Sequence, residues 1–186
     1  MEAFSDGVLA VIITIMVLEM KAPLSADLAA LRSLAPVFLS YVLSFVFLGI
    51  YWTNHHHLLQ AIHRVNGAIL WANIHLLFWL SLTPFATAWM GENHFASWPV
   101  ALYGLVLLCS AIAYFILCRV LIAHHGRDSE LATALGDDMK GKISPILYLA
   151  GISVSFYQPM LSCALYVFVA AIWLIHDRRI ERVIGH

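Results

Sequence analysis

The chain has 186 residues, of which 62% are hydrophobic and only 11% charged, and its mean hydropathy is +0.84. These values lie far from those of soluble domains and indicate a polytopic membrane protein. The formal net charge of −1 gives no indication of a nucleic-acid partner, and none is expected. Cys109, Cys118 and Cys163 lie in apolar segments without framework spacing, which predicts packed thiols rather than disulfides.

Six membrane-spanning helices are predicted with a hydropathy window of about 20 residues. In chain order they are 3–20, 34–62, 66–90, 98–122, 143–157 and 160–176. The fifth span is short, because Pro145 and Pro159 bracket it. Segment 123–142 carries most of the soluble charge and is predicted to be a polar loop with room for one helical turn. The predicted fold class is therefore all-α, with a single six-helix transmembrane domain over residues 1–186.

The basic residues orient this topology, because six spans place both termini on the same side of the membrane. Lys21 and Arg32 are the only basic residues expected on the opposite side. The side of the termini collects the other eight, which are Arg64, Arg119, Arg127, Lys140, Lys142, Arg178, Arg179 and Arg182. This bias predicts cytoplasmic termini in a multi-pass protein of the plasma membrane, which is the inner membrane in bacteria with two membranes.

Polar side chains of the first three spans are predicted to converge near the cytoplasmic face. Asp6 lies near the start of span 1, His55 and His56 lie toward the end of span 2, and Asn73 lies in the first turns of span 3. A carboxylate in a membrane helix needs partners, although Asp6 alone also fits a helix-start residue favoured by the helix dipole. The convergence favours a shared hydrogen-bond network, because isolated polar groups there would be unsatisfied.

The three consecutive histidines permit three interpretations. A metal site is not expected, because adjacent helical residues point about 100° apart and His55, His56 and His57 cannot all bind one ion. No cysteine lies nearby, and neither a His-Glu-x-x-His motif nor a paired carboxylate is present. Interhelical hydrogen bonding is the favoured interpretation, and a proton-sensitive switch stays open beside it.

An apolar stripe runs along span 1. Val11, Ile15 and Leu18 are spaced by four and three residues, so they share one helical face with Thr14 beside it. The pattern alone favours a surface that faces lipid or packs on another helix, and Thr14 can bond back to a carbonyl one turn earlier. No carbonyl filter or arginine-rich voltage sensor is present, so helix side chains must line any ion route.

The stretch Phe4-Ser5-Asp6-Gly7-Val8, followed by Ala10, Thr14 and Leu18-Glu19, resembles the first-helix motif of the transmembrane protein 175 potassium channels in their bacterial single-repeat form. Matching motifs in spans 2 and 3 are Trp52-Thr53-Asn54-His55-His56, Trp71-Ala72-Asn73 and Pro84-Phe85-Ala86-Thr87-Ala88. The resemblance is specific in spans 1 to 3 and weak in spans 4 to 6. One departure is that the family's arginine, four residues before the Phe, would precede Met1.

The resemblance implies a homotetrameric, potassium-permeable channel without enzymatic activity, in which span 1 of each subunit lines a central pore. It implies that Val11, Ile15 and Leu18 form hydrophobic constriction rings and that Thr14 forms a hydroxyl ring acting in selectivity. It further implies a set of residues that tie the pore helix to its scaffold, namely Ser5, Asp6, His55, His56 and Asn73.

No cofactor and no metal are expected, potassium ions being the permeant species. The expected partners are further copies of the chain and membrane lipids. The alternative function is a proton-coupled secondary transporter that uses Asp6 and the histidines of span 2 as a relay. A broken helix or an inverted repeat would favour that alternative, and the sequence indicates neither.

Overall fold

The structure, a computed structural model, describes residues 1–60, 64–126 and 139–174. Every regular element in these ranges is helical, which confirms the predicted all-α class. The helices are α1 Glu2–Leu18, α2 Leu28–Ser33, α3 Ala35–Gln60, α4 Gly67–Ser81, α5 Thr83–Glu92, α6 Ser97–His125, α7 Met139–Ser155 and α8 Pro159–Leu174. Four of the eight basic residues used to orient the chain, Arg127, Arg178, Arg179 and Arg182, lie outside the described residues.

Within the described residues, three stretches are long and apolar enough to cross a membrane, namely Ala35–Gln60, Gly67–Glu92 and Ser97–His125. The chain is therefore a multi-pass membrane protein. Helices α1 and α7 have 17 residues each and α8 has 16. At about 1.5 Å per residue these helices fall somewhat short of a hydrocarbon core of about 30 Å. The count of six spans consequently stays a prediction.

The third predicted span is two helices rather than one. Helix α4 ends at Ser81, and α5 begins at Thr83 with a proline in its first turn. Pro84 has no amide hydrogen to continue the ladder, so it favours a new helix start at this point. The interruption is one residue long, because Leu82 donates to the Trp79 carbonyl at 3.2 Å and Ala86 donates to the Leu82 carbonyl at 3.1 Å.

The ends of the predicted polar loop 123–142 are helical. Helix α6 continues to His125, and α7 already begins at Met139, four residues before the predicted span. The predicted loop had room for one helical turn, but the start of the fifth span was placed too late, because a hydropathy window rejects lysine although lysine is a good helix former. Pro145 lies inside α7. Residues 127–138 of this loop, and 61–62 and 175–176 of the predicted spans, lie outside the described residues.

Helix α6 lies at the centre of the bundle and contributes to both of its apolar clusters. The first cluster joins α6 to α1, α3 and α4 through Leu9, Ile12, Met16, Leu48, Leu76, Leu80 and Leu117. The second joins α6 to α3, α5, α7 and α8 through Phe47, Met90, Val100, Tyr103, Tyr148, Tyr166 and Val169. Lipid tails are as apolar as leucine, so close packing and interhelical hydrogen bonds hold such a bundle together.

Two glycines make room for one aromatic ring at the α6–α7–α8 contact. Tyr166 of α8 is fully buried, and its ring lies against the backbones of Gly104 in α6 and Gly151 in α7. A Cβ atom added at either glycine would overlap the ring. The absence of a side chain at both positions therefore allows the three helices to pack closely around Tyr166.

The short helix α2 lies outside the apolar clusters and is capped by Asp27. The carboxylate oxygens of Asp27 lie 2.7 Å from the Ser25 hydroxyl and 2.7 Å from the Ala30 amide nitrogen. The hydrogen bonds from Ser25 and Ala30 lower the pKa of Asp27 below its usual value, because both groups donate to the ionised form.

Candidate pore helix and its polar anchor

Helix α1 has one buried face that packs against α3, α4 and α5. The residues of this face are Ser5, Leu9, Ile12 and Met16, at spacings of four and three residues. Helix α3 runs antiparallel to α1. Near the start of α1, Asp6 bonds Trp52 of α3. At the other end the sulfur of Met16 lies 3.9 Å from the hydroxyl of Thr87 in α5. The buried face thus fixes both the depth and the rotation of α1 in the bundle.

The opposite face of α1 is uncovered in the single chain. Val11, Ile15 and Leu18 are 56%, 40% and 78% exposed, and Phe4 extends the same stripe toward the start of the helix at 63%. Thr14 lies beside them and is also exposed. In a membrane, an apolar face of this kind is available to lipid tails or to the corresponding face of another subunit.

The Thr14 hydroxyl bonds its own helix. Its Oγ1 donates to the carbonyl oxygen of Val11 at 2.8 Å, which is the local bond typical of threonine in helices. This bond uses the single hydroxyl hydrogen. The lone pairs of the oxygen stay available to a cation, because a hydroxyl can donate one hydrogen bond and accept at the same time.

A buried chain of hydrogen bonds joins α3, α4 and α1. The Nε2 atom of His55 lies 2.6 Å from the amide oxygen of Asn73, and the Asn73 amide nitrogen donates to Ser5 Oγ at 3.0 Å. The Ser5 hydroxyl in turn donates to the carbonyl oxygen of Met1 at 3.2 Å. This directional order requires a hydrogen on Nε2 of His55, because the amide oxygen of Asn73 can only accept. His55, Asn73 and Ser5 are all buried.

Asp6 and His56 belong to a second, partly exposed group at the same end of α1. The indole Nε1 of Trp52 donates to Asp6 Oδ1 at 3.0 Å, and the Trp52 ring stacks on His56 at a centroid distance of 5.6 Å. His56 Nδ1 lies 3.0 Å from Glu2 Oε1, an ion-pair distance without the alignment of a hydrogen bond. Its Nε2 lies 2.9 Å from the Gln60 amide nitrogen. Within the predicted network, Asp6 therefore bonds Trp52 and neither His55 nor His56.

One group among the described residues has the composition and spacing to hold a cation. Glu2, Asp6 and His56 each present one potential ligand atom within 4.8 Å of the others. The sequence did not reveal this pairing of carboxylates, because Glu2 and Asp6 approach His56 only when α1 packs on α3. Trp52 already bonds Asp6, and Gln60 already bonds His56, so both of these side chains have partners within the protein.

The other polar residues near this end have separate roles. Asn66 caps α4 by accepting the Ile69 amide at 2.9 Å, and its side-chain nitrogen lies 3.1 Å from His124 Nδ1 at the end of α6. Asn54 donates to a carbonyl of its own helix at 2.7 Å. His75 accepts from the indole of Trp79 at 3.0 Å. They are not members of the buried chain through Asn73.

A second buried polar cluster lies near the other end of α1, and sequence reasoning missed it. The Ser44 hydroxyl of α3 lies 2.6 Å from Thr87 Oγ1 in α5 and 3.0 Å from the hydroxyl of Tyr103 in α6. Thr87 also donates to the Thr83 carbonyl at 2.7 Å. All four residues are buried, and the hydroxyls of Ser44, Thr87 and Tyr103 satisfy one another across three helices. Small hydroxyl residues inside apolar helices were the available signal.

Together, the fold and this site define a class of protein, a multi-pass helical membrane protein whose first helix has one anchored face and one free apolar face. Residues 1–84 match the family described as endosomal/lysosomal potassium channel TMEM175. The chain is 56% identical over 182 residues to a potassium channel of Chryseobacterium sp., and the match covers 98% of this chain and 95% of the relative. The chain belongs to the TMEM175 family.

More distant relatives agree with this assignment. A potassium channel of Chamaesiphon minutus is 30% identical over 188 residues, covering 92% of this chain and 90% of the relative. The crystal structure of a lysosomal potassium-selective channel TMEM175 homolog from the same organism superposes with a TM-score of 0.81. That match has 29% identity and covers 94% of each chain. The likeness therefore extends from the first helix through nearly the whole fold.

Proposed function

We propose that this chain is the subunit of a homotetrameric potassium channel of the plasma membrane, in which α1 of each subunit lines a central pore. The potassium-channel assignment rests on membership of the TMEM175 family and on relatives named as potassium channels along nearly the whole chain. The tetramer and the lining helix are proposed from the motif in α1. No cofactor is part of the proposal, and the permeant species is the potassium ion.

The observation that carries the proposal is the division of α1 into two faces. Hydrogen bonds and packing hold Ser5, Leu9, Ile12 and Met16 against the bundle, whereas the stripe of Val11, Ile15 and Leu18 is exposed. A pore helix requires this division, because it must be fixed on its scaffold side and uncovered toward the axis. Four copies would bring each residue of the stripe to one level around the axis.

The chemistry of such a pore follows from its side chains. Rings of Val11, Ile15 and Leu18 constrict the route with apolar surface, which blocks ions by excluding water when the rings are close together. A wider arrangement admits a partly hydrated cation. Thr14 adds a ring of hydroxyl oxygens between these levels, and its lone pairs can replace part of the water around potassium. We expect this arrangement to select potassium less sharply than a carbonyl filter does.

The anchoring role is assigned to Ser5, Asp6, His55, His56 and Asn73. The buried chain through Asn73 fixes the start of α1, and the Asp6–Trp52 bond adds a second contact on the adjacent face. We place this end of the bundle at the cytoplasmic side, together with both termini, because the basic residues are concentrated there. The six predicted spans form one transmembrane domain in this proposal.

The transporter alternative is not supported, because the relatives along the whole chain are named as channels. The break at Leu82, the one interruption of a long helix in the part of the chain that the structure describes, does not support it either. Backbone hydrogen bonds continue across that residue, from Leu82 to the Trp79 carbonyl and from Ala86 to the Leu82 carbonyl, so the chain there is not an extended unwound segment of the kind that binds ions in transporters. The family is one of channels rather than of enzymes.

The decisive experiment measures potassium flux from proteoliposomes that contain the purified protein under a potassium gradient. A channel should pass at least roughly 10⁵ ions per second per oligomer, because no slow conformational cycle limits each ion. A carrier needs a slower, millisecond-scale rearrangement for every transport event. Slow flux that requires a proton gradient would contradict the channel, and protein-free vesicles provide the background.

A further inference from the structure

A cavity separate from α1 opens between α3, α6, α7 and α8, and it has a volume of about 460 Å³. This volume lies in the usual range of small-molecule sites, roughly 300–1,000 Å³. One stripe of α6 forms a wall of the cavity, and Tyr114 and Phe115 supply aromatic rings to it. Tyr148 of α7 and Trp173 of α8 line it from the other side. The inner surface is therefore mainly apolar and aromatic.

Two cations lie on the lining of this cavity. Arg119 of α6 is six residues before the end of its helix, and Lys142 is in the first turn of α7. Arg119 is exposed, and within the described part of the chain it takes part in no hydrogen bond or ion pair. At about 1.5 Å per residue, Arg119 lies about 9 Å from the end of α6, near the depth of lipid headgroups.

We propose that this cavity binds an anionic phospholipid of the surrounding membrane. The phosphate binds at Arg119 and Lys142, and part of an acyl chain enters the space lined by Tyr114 and Tyr148. Guanidinium groups bind phosphate oxygens with two parallel hydrogen bonds, and basic pockets between membrane helices are typical sites for lipid headgroups. The exposed Phe115 at the wall leaves the cavity open to the lipid phase.

The charge and the shape of the site exclude a soluble anion as the best ligand. A soluble anion would use the two cations but would leave the aromatic volume empty. A neutral lipid tail would fill that volume but would leave the Arg119 guanidinium without a counter-charge. An anionic phospholipid satisfies both parts, and bound there it would fill the space between α3, α6 and α7.

The test measures lipids retained by the purified full chain in native mass spectrometry, after incubation with mixed micelles of phosphatidylglycerol and phosphatidylcholine with matched acyl chains. The wild type should retain phosphatidylglycerol preferentially. Arg119→Gln should lower that retention about tenfold, as expected for the loss of one charge-assisted contact, and leave phosphatidylcholine unchanged. Arg64→Gln is the matched control, because it removes the same charge outside the cavity.

A second variant tests the tail part of the site. Ala111 lines the cavity, and Ala111→Phe should fill it and abolish the preferential retention of phosphatidylglycerol. Equal loss in Arg119→Gln and Arg64→Gln would overturn the proposal, since it would indicate a general charge effect. Equal retention of both lipids by the wild type would also overturn the proposal. So would a wild type that retains added oleate but does not retain phosphatidylglycerol. Because the Arg119 side chain is exposed, Arg119→Gln decides the question even if Ala111→Phe does not fold.

Discussion

The Nε2 atom of His55 and the amide oxygen of Asn73 lie 2.6 Å apart between α3 and α4, and both side chains are buried. The amide nitrogen of Asn73 also donates to the Ser5 hydroxyl of α1 at 3.0 Å. One asparagine thus connects three helices with its two ends, because an amide both accepts and donates. We infer that this residue determines how firmly α1 is held at its first turns.

Asn73→Leu should destabilise the protein by about 1–2 kcal/mol. Single interhelical hydrogen bonds in membranes average about 0.6 kcal/mol, but a buried partner left unsatisfied costs about 1–3 kcal/mol. The substitution leaves both His55 and Ser5 without their interhelical partner. The measurement is the midpoint of thermal unfolding in detergent. Asn93→Leu is the control, because that exposed amide bonds only the Trp89 carbonyl of its own helix. Equal midpoints for the two variants would contradict the anchoring role.

Leu18→Asn and Ile15→Asn should raise the resting potassium conductance. Both residues belong to the proposed constriction rings, and an amide side chain would let water enter a narrow apolar route. Single-channel recording or vesicle flux measures the effect. Val17→Asn is the control, because Val17 is an exposed apolar residue of the same turn that points about 100° away from Leu18. Folded oligomers of both stripe variants with wild-type currents would remove the stripe from the pore.

Thr14→Val should weaken the preference for potassium over sodium. The replacement keeps the shape of the side chain and removes the hydroxyl oxygen that would contact a passing ion. The reversal potential under potassium–sodium bi-ionic conditions should move toward zero by about 60 mV for each tenfold loss of selectivity. Thr53→Val is the control, because Thr53 makes the same kind of bond, to the Gly49 carbonyl at 3.0 Å, on α3. An unchanged potential would assign Thr14 to the helix backbone alone.

Gly151→Ala should destabilise the protein by about 1–3 kcal/mol, the usual cost of overpacking a core. The added methyl group would overlap the ring of Tyr166, which cannot retreat because Gly104 and Val100 lie on its other side. Gly49→Ala has open space around the new Cβ atom and should be neutral or stabilising, since alanine favours a helix by about 0.5–1 kcal/mol. Thermal unfolding compares the two variants, and a stable Gly151→Ala protein would mean that α7 can shift away from α8.

The helix boundaries show which features of the fold a hydropathy window can predict and which it cannot. It located α3 and α6 to within a few residues, because long apolar runs leave few alternatives for the chain. It missed the break at Leu82 and the early start of α7 at Met139. Both errors depend on local backbone chemistry, namely a proline at a helix start and lysines within a helical turn. A window average over about 20 residues does not resolve such features.

The amino-acid sequence alone determined the class of protein, the all-α fold and the set of residues in the first three spans that resemble a channel family. Composition, apolar run length and a contiguous motif determine these properties, and none depends on distant contacts. Only the tertiary structure decided which polar groups pair, because pairing requires the relative rotation and depth of α1, α3 and α4. In that packing, Asn73 bonds His55 and Ser5, and Asp6 bonds Trp52. The stripe from Val11 to Leu18 is left uncovered.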